Sequence, residues 1–221
     1  MLRSSLLWLG ASLALLAGCG RDDGSGALGQ ASARTSCAPD DASCSSFGLR
    51  GPLAAGVSLP VEISLSLQGG GAPPLVLSSA DPSVLVVEGS RLRGVTPGVA
   101  ALLITTPDQR VVDFVHVFVE QATELVVVRR THDGAELAPV TGSMQLVVGD
   151  DINLSAEPYA GDRRLAGEVV ALWETPDPDV LQLLDAARPA QRRLRARAPG
   201  STSVTVRTDS TTQTIQVEVL P

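Results

Sequence analysis

From Val57 to Leu67 every second residue is apolar: Val57, Leu59, Val61, Ile63, Leu65 and Leu67 share one face, and Ser, Pro and Glu take the other. A period of two is that of a strand with one buried face. Short β-branched runs follow at Val84–Val87, Leu102–Thr106 and Val111–Val119. The second half repeats the style at Leu125–Val128, Gln145–Val148, Ile152–Ala156, Val169–Trp173, Ser203–Arg207 and Thr214–Leu220. Gly, Pro, Asp and Ser separate these runs at short intervals. Many short strands with such turn signals predict an all-β chain of sandwich type. One segment departs: Val180–Ala187, VLQLLDAA, reads locally as a helical turn. In the run ending at Val119, Phe114, His116 and Phe118 alternate with Val115, Val117 and Val119. Both faces of that strand lean apolar, so it is either covered on both sides or presents one face to a neighbour.

The chain also repeats itself. Asp81-Pro82-Ser83-Val84-Leu85 matches Asp177-Pro178-Asp179-Val180-Leu181, Arg91-Leu92-Arg93 matches Arg193-Leu194-Arg195, and Pro97-Gly98 matches Pro199-Gly200. Leu53-Ala-Ala-Gly56 matches Leu146-Val-Val-Gly149. Internal repetition of this kind means two copies of one structural unit. The boundary falls at Glu120-Gln121, giving domain 1 over 47–120 and domain 2 over 121–221. The first copy starts late, so its first strand is expected to be missing or very short. The extra residues of the second copy belong in surface loops.

These landmarks resemble the bacterial immunoglobulin-like domains of group 2, found also in intimin- and invasin-type surface proteins. Trp173-Glu-Thr-Pro-Asp177-Pro178-Asp-Val180 matches the middle of that pattern. Pro199-Gly200-Ser-Thr-Ser-Val204-Thr-Val206 and Ile215-Gln-Val217-Glu-Val219 match its end. The first copy carries Leu77 where the family often has Trp. The resemblance implies two tandem Ig-like β-sandwiches and, for function, either adhesion or spacing. Read on their own chemistry, the landmarks are structural. Trp173 is expected to fill the space between sheets, with exposed stacking the alternative. The Asp-Pro pairs start turns, Gly98 and Gly200 supply turn geometry, and Leu92 and Leu194 point inward between outward Arg.

The N-terminus is an address. Met1–Gly18 has one charge, Arg3, then an apolar run from Leu6 to Ala17 and small residues. That is a secretory signal, too short for a comfortable membrane span. Leu16-Ala17-Gly18-Cys19 resembles the lipobox of bacterial lipoproteins, which implies cleavage before Cys19 and lipidation of its thiol. Two or three acyl chains give stable anchoring where one is marginal. Gly20 stands where some lipoproteins carry an inner-membrane retention Asp, which favours the outer membrane. Residues 19–46 then read as a flexible tether: fifteen of the twenty-seven residues after Cys19 are Gly, Ser or Ala, and none is aromatic. With Cys19 lipidated, Cys37 and Cys44 remain. In an oxidising compartment a Cys37–Cys44 disulfide is expected, with free thiols the alternative.

Composition narrows the chemistry further. All 17 basic residues are Arg, against 24 acidic ones, for a net charge of −7. No nucleic-acid partner is expected, because neutralising phosphate needs clustered positive charge. No phosphate-loop or Schiff-base lysine exists. With two His, no Gly-x-Ser-x-Gly elbow and few aromatics, neither an enzyme nor a cofactor is expected. Asp150-Asp151 and Asp177/Asp179 read as turn residues rather than a calcium site, and His132 sits in a polar turn. The one basic concentration is Arg188, Arg192, Arg193, Arg195 and Arg197. It is a candidate anion-binding patch for an acidic glycan or lipopolysaccharide, the alternative being a solvated face paired with nearby acids. The expected function is display: a lipid-anchored envelope protein whose modules bind an envelope protein or a glycan at the cell surface, the alternatives being a structural subunit of an envelope complex or a periplasmic spacer without a specific ligand.

Overall fold

The computed structural model describes residues 30–34, 51–66, 73–186 and 188–221. Among the described residues all regular structure is strand. The first repeat contains β1 (Gln30–Arg34), β2 (Leu53–Ala54), β3 (Ser58–Pro60), β4 (Glu62–Ser66), β5 (Val76–Ser79), β6 (Leu85–Glu88), β7 (Arg91–Gly94), β8 (Gly98–Thr105) and β9 (Val111–Glu120). One sheet runs β2-β9-β8-β5 and the other β3-β7-β6, with β1 paired to β4. Leu59, Leu85, Leu92, Leu102, Val117 and Val119 fill the space between them.

The second repeat contains β10 (Glu124–Arg130), β11 (Glu136–Pro139), β12 (Ser143–Val147), β13 (Asp151–Ala160), β14 (Arg163–Arg164), β15 (Leu172–Glu174), β16 (Leu181–Leu184), β17 (Gln191–Ala196), β18 (Gly200–Arg207) and β19 (Thr212–Leu220). The path β11-β10-β13-β17-β16 faces β12-β19-β18-β15. Without the added β11 and β12, this is the two-sheet order of an immunoglobulin-type sandwich. Trp173, only 5% exposed, lies in the core with Leu154, Leu181, Leu194, Val204 and Ile215. The expected all-β architecture of two tandem Ig-like sandwiches is the observed one.

The repeats coincide down to single main-chain hydrogen bonds. Leu85 N–H donates to Asp81 O, and Leu181 N–H to Asp177 O, each at 3.0 Å. Gly56 N–H donates to Gly94 O at 2.9 Å, and Gly149 N–H to Ala196 O at 3.0 Å. Both Asp-Pro carboxylates cap the turn they start: Asp81 accepts from Ser83 N–H and Asp177 from Asp179 N–H. Gly98 serves a purpose other than turn geometry. A Cβ there would lie 2.9 Å from Val84 Cγ2, and at Gly200 3.1 Å from Val180 Cγ2. Each glycine lets the valine after the Asp-Pro turn close on the start of the next-but-one strand.

Several elements differ from the sequence reading. The helical turn expected over 180–187 is not formed by its described residues: Leu181–Leu184 is strand β16, with Leu181 and Leu183 on the core and β17 alongside. The period of two within that stretch outweighs its helical propensity once β17 supplies a partner. The described part of that first alternating run is two strands, Ser58–Pro60 and Glu62–Ser66, broken at Val61 where the chain leaves β7 and joins β1. β1 lies inside the stretch assigned to the tether and supplies the first strand that the first copy was expected to lack. Its Gln-Ala-Ser-Ala-Arg sequence has no hydrophobic alternation to announce it. β11, exposed at all four residues, was equally silent. Val169–Trp173 is strand only from Leu172. The signal segment, Cys19, Cys37 and Cys44 lie outside the described residues.

Candidate interaction surfaces

The two sandwiches meet in a joint built from main chain. β9 ends at Glu120 and β10 begins at Glu124. The segment after β14 reaches back to β2 and β3. Ala54 N–H donates to Ala166 O at 2.9 Å, Ala166 N–H to Pro52 O at 2.8 Å, and Glu168 N–H to Ser58 O at 3.1 Å. Ala54, Ala122 and Leu165 are buried together, and Val57 packs against the cores of both repeats. Gly167, at φ +107°, leaves no room for a side chain: a Cβ would overlap Val57 Cγ2 and press on Leu53. Arg163 closes the rim through an ion pair with Glu120 at 2.5 Å. Backbone pairing, apolar burial and a close glycine contact together make a stiff contact rather than a loose tether.

Behind the joint, domain 2 buries a cluster of charges. Arg130 pairs with Glu157, and both side chains are almost wholly buried. Arg164, on β14, reaches Glu157 at 2.9 Å and Glu136 at 3.3 Å. Arg130 Nη1 also donates to Gly134 O at 2.9 Å. Burial pushes the Glu157 carboxyl above its ordinary range, against the pull of Arg164 and Arg130. Burial likewise raises the Tyr159 phenol. A buried ion cluster contributes little net stability, but removing one member leaves the others unpaired and costly. Here it fixes β14, and β14 leads directly into the joint.

The five arginines of the candidate anion patch lie on and around β17. Arg193 and Arg195 share one partner, Asp151, at 3.2 and 2.8 Å. Arg192 pairs with Asp185, and Arg197 lies 4.0 Å from Asp179. Arg188, just before the strand, is also engaged. The row is thus interleaved with carboxylates from neighbouring elements, a pattern that the linear sequence does not display.

The outward face of the β2-β9-β8-β5 sheet carries exposed apolar side chains. Along β9, Phe114, His116 and Phe118 point out, with Phe114 and Phe118 38% and 50% exposed. Across β8 they stand opposite Leu103, Ala101 and Val99, and Val99 is 51% exposed. The Phe114 and His116 rings meet edge to face at 5.4 Å. No acidic residue and no arginine stands among these six. The strand is not covered on both sides: Val117 and Val119 are buried, and Phe114, His116 and Phe118 are exposed. At the same register in domain 2 stand Thr214, Gln216 and Glu218 on β19, opposite Thr205, Ser203 and Ser201 on β18. That face is polar.

Two further features complete the inventory. An open depression beside Trp173 is lined by Glu174, Thr175, Gln182 and Thr205; the indole Nε1 is buried and has no hydrogen-bond partner. Among the described residues no three His, Cys, Asp or Glu side chains converge as a metal site requires.

Comparison with known proteins adds little beyond this geometry. No family model matches the chain, and no curated protein sequence does. Among solved structures it is similar to domains 4 and 5 of the S-layer protein SbsC, with 15% identity and a TM-score of 0.33, over 71% of this chain and 82% of that one. The D0-D1 domain of intimin gives 12%, a TM-score of 0.29, and coverage of 77% and 95%. The Yersinia pseudotuberculosis adhesin InvE gives 13%, a TM-score of 0.33, and coverage of 77% and 56%. At such scores the likeness carries no argument about function.

The sequence located the Arg row and the alternating Phe-His-Phe strand. It missed the joint and the ion cluster. Their signals are slight: one Gly in Leu165-Ala-Gly-Glu168 and an adjacent Arg pair at 163–164.

Proposed function

We propose that this chain is a lipid-anchored envelope protein that holds two Ig-like sandwiches as one stiff arm for binding or adhesion. The joint carries the reading. Main-chain hydrogen bonds from Ala54 and Ala166, with Gly167 closed against Val57, hold the two modules together. A stiff arm suits display, since reach set by a rigid body is not lost to chain entropy. Cys19 supplies the anchor and the outer membrane is the favoured location. The chain is not an enzyme on this reading, and its loops and sheet faces do the binding.

A specific observation favours a second reading, a structural subunit of an envelope complex: the exposed Phe114, Phe118 and Val99 on the outward face of domain 1. The two readings part on intact cells. Cell fractionation with Cys19→Ser tests the anchor: release from the membrane fraction is expected, and an unchanged membrane pool would sink it. Proteinase K added to whole cells then separates display from burial. Digestion of the arm supports adhesion, and protection together with co-migration in a large assembly supports the subunit.

A further inference from the structure

At one sheet edge the two repeats part. In domain 1, β5 pairs with β8 from Val76 to Ser79, and the next residue, Ala80, donates its N–H to Ala101 O at 2.9 Å. In domain 2, β15 pairs with β18 only as far as Glu174, and extension of that register sets Pro176 opposite Ser203. Proline has no N–H to give. The Ser203 main chain faces that way all the same. Gln216, its partner across the ladder, turns its own N–H to Gly142 O at 2.9 Å, so Ser203 faces away from β19. The Ser203 carbonyl therefore opens on the depression that Trp173 and Gln182 also line. Trp173 is 5% exposed, and its Nε1 has no partner. We propose that this depression binds an N-acetylated amino sugar of an oligosaccharide.

The open groups select the ligand. Domain 1 shows what this carbonyl accepts when the chain supplies it, an amide N–H, and an acetamido group carries one. The acetamido carbonyl and the sugar hydroxyls supply acceptors for the unpartnered indole N–H and the Gln182 amide. The hydroxyls also supply donors to the Glu174 carboxylate and partners for the Thr205 hydroxyl. No Arg or His lines the depression, and its one charge is Glu174, so an anionic sugar finds no counter-charge there. An added peptide strand is blocked at both ends of the gap. β15 occupies the β18 edge at Thr205, and Val180 packs on Gly200, where a Cβ would lie 3.1 Å from Val180 Cγ2. The edge left between them, residues 201–203, has room for one amide and not for a ladder.

Every residue of the site belongs to domain 2, so the site depends on neither the anchor nor the joint. A few neutral hydrogen bonds in an open depression make binding weak, roughly millimolar.

The test is a titration of the isotope-labelled full chain with N,N′,N″-triacetylchitotriose, followed through its amide and indole N–H resonances. Shifts are expected at Gln182, Ser203, Thr205 and the Trp173 indole, with none at Ala101, the matching position in domain 1. Cellotriose has the same sugar backbone without acetamido groups. It should bind about fivefold more weakly, the difference one hydrogen bond makes. Pro176→Ala restores the N–H that domain 1 has, and should weaken the response to the acetylated sugar by a similar factor while the urea midpoint stays at the parental value. Gln182→Ala leaves the edge open and removes one partner, so it should weaken the same response a few-fold without changing the midpoint. No shift at these positions, equal affinity for cellotriose, shifts confined to domain 1, or an undiminished response in both variants would each overturn the proposal.

Discussion

Gly56 and Gly149 close the same turn in the two repeats, at φ +81° and +97°, yet what lies beyond them differs. In domain 1 the neighbouring Ala54 N–H is spent on Ala166, and the surface around it is covered by the other sandwich. In domain 2 the matching Val147 N–H is taken by the Asp150 carboxylate at 2.9 Å, and Val147, Val148 and Leu220 face solvent. Where domain 1 has Val57, packed into both cores, domain 2 has Asp150. One backbone thus serves as a socket in the first copy and as a self-capped end in the second. Exposed strand ends invite pairing unless blocked, and Asp150 is the block. Features common to both repeats therefore describe the fold. Features that differ describe what each end and face is for.

The largest expected effect should fall on both repeats alike. Leu92→Ala and Leu194→Ala each empty a fully buried site and should each cost about 2–5 kcal/mol in denaturant unfolding. A large inequality would mean that the two cores are not equivalent. Glu157→Ala should separate the repeats. It strands Arg130 in domain 2 and is expected to cost about 3–5 kcal/mol. The same change at Ser64, the matching position in domain 1, should cost far less.

Next in size is a pair of glycines. Gly167→Ala meets both a positive φ and Val57, and should cost about 2–3 kcal/mol while loosening the joint. Gly149→Ala meets only the positive φ, with open space around it, and should cost about 1 kcal/mol. Scattering from the two variants checks the difference: only the Gly167 variant should broaden the distribution of molecular dimensions.

Smaller still is Arg193→Ser with Arg195→Ser. Both guanidinium groups are half exposed and share Asp151, so the stability loss should stay within about 1 kcal/mol. Binding to lipopolysaccharide should not change if the row only pairs with its own carboxylates; a clear loss would support the anion-binding role. Smallest is Ser83→Ala. The Ser83 hydroxyl and amide hold the Asp81 carboxyl below the usual carboxylate range. A depressed carboxyl stabilises the fold above its ordinary pKa, and that gain is lost as pH falls through the lowered value. The variant should be slightly less stable at neutral pH and indistinguishable from the parent in strong acid. Domain 2 has Asp179 at the matching position and lacks this hydroxyl.

Much of the architecture was legible because it repeats. Asp-Pro, Arg-Leu-Arg and Pro-Gly recur in order, and each marks a turn or an inward leucine that the structure places alike in both copies. Most strands with alternating β-branched residues were found where expected, Val169–Trp173 excepted. β1 and β11 were not: Gln-Ala-Ser-Ala-Arg carries no large apolar residue, and β11 is exposed at all four of its residues. The Val180–Ala187 stretch misled because Leu and Ala favour helix locally, whereas β17 supplies a sheet partner that only the fold reveals. The Arg row was visible, but its partners Asp151, Asp179 and Asp185 come from separate elements, so its pairing was not. The joint was hidden for the same reason: its groups are mostly backbone N–H and C=O, which every residue carries.

The claim that the two sandwiches form one body rests on two amides, and hydrogen exchange resolved to single residues tests it most directly. The account predicts that Ala54 and Ala166 exchange as slowly as the core strands, while Val147, at the matching place in domain 2 but capped only by an exposed carboxylate, exchanges fast. If Ala54 and Ala166 exchange as fast as Val147, the joint is open in solution and the stiff arm does not exist.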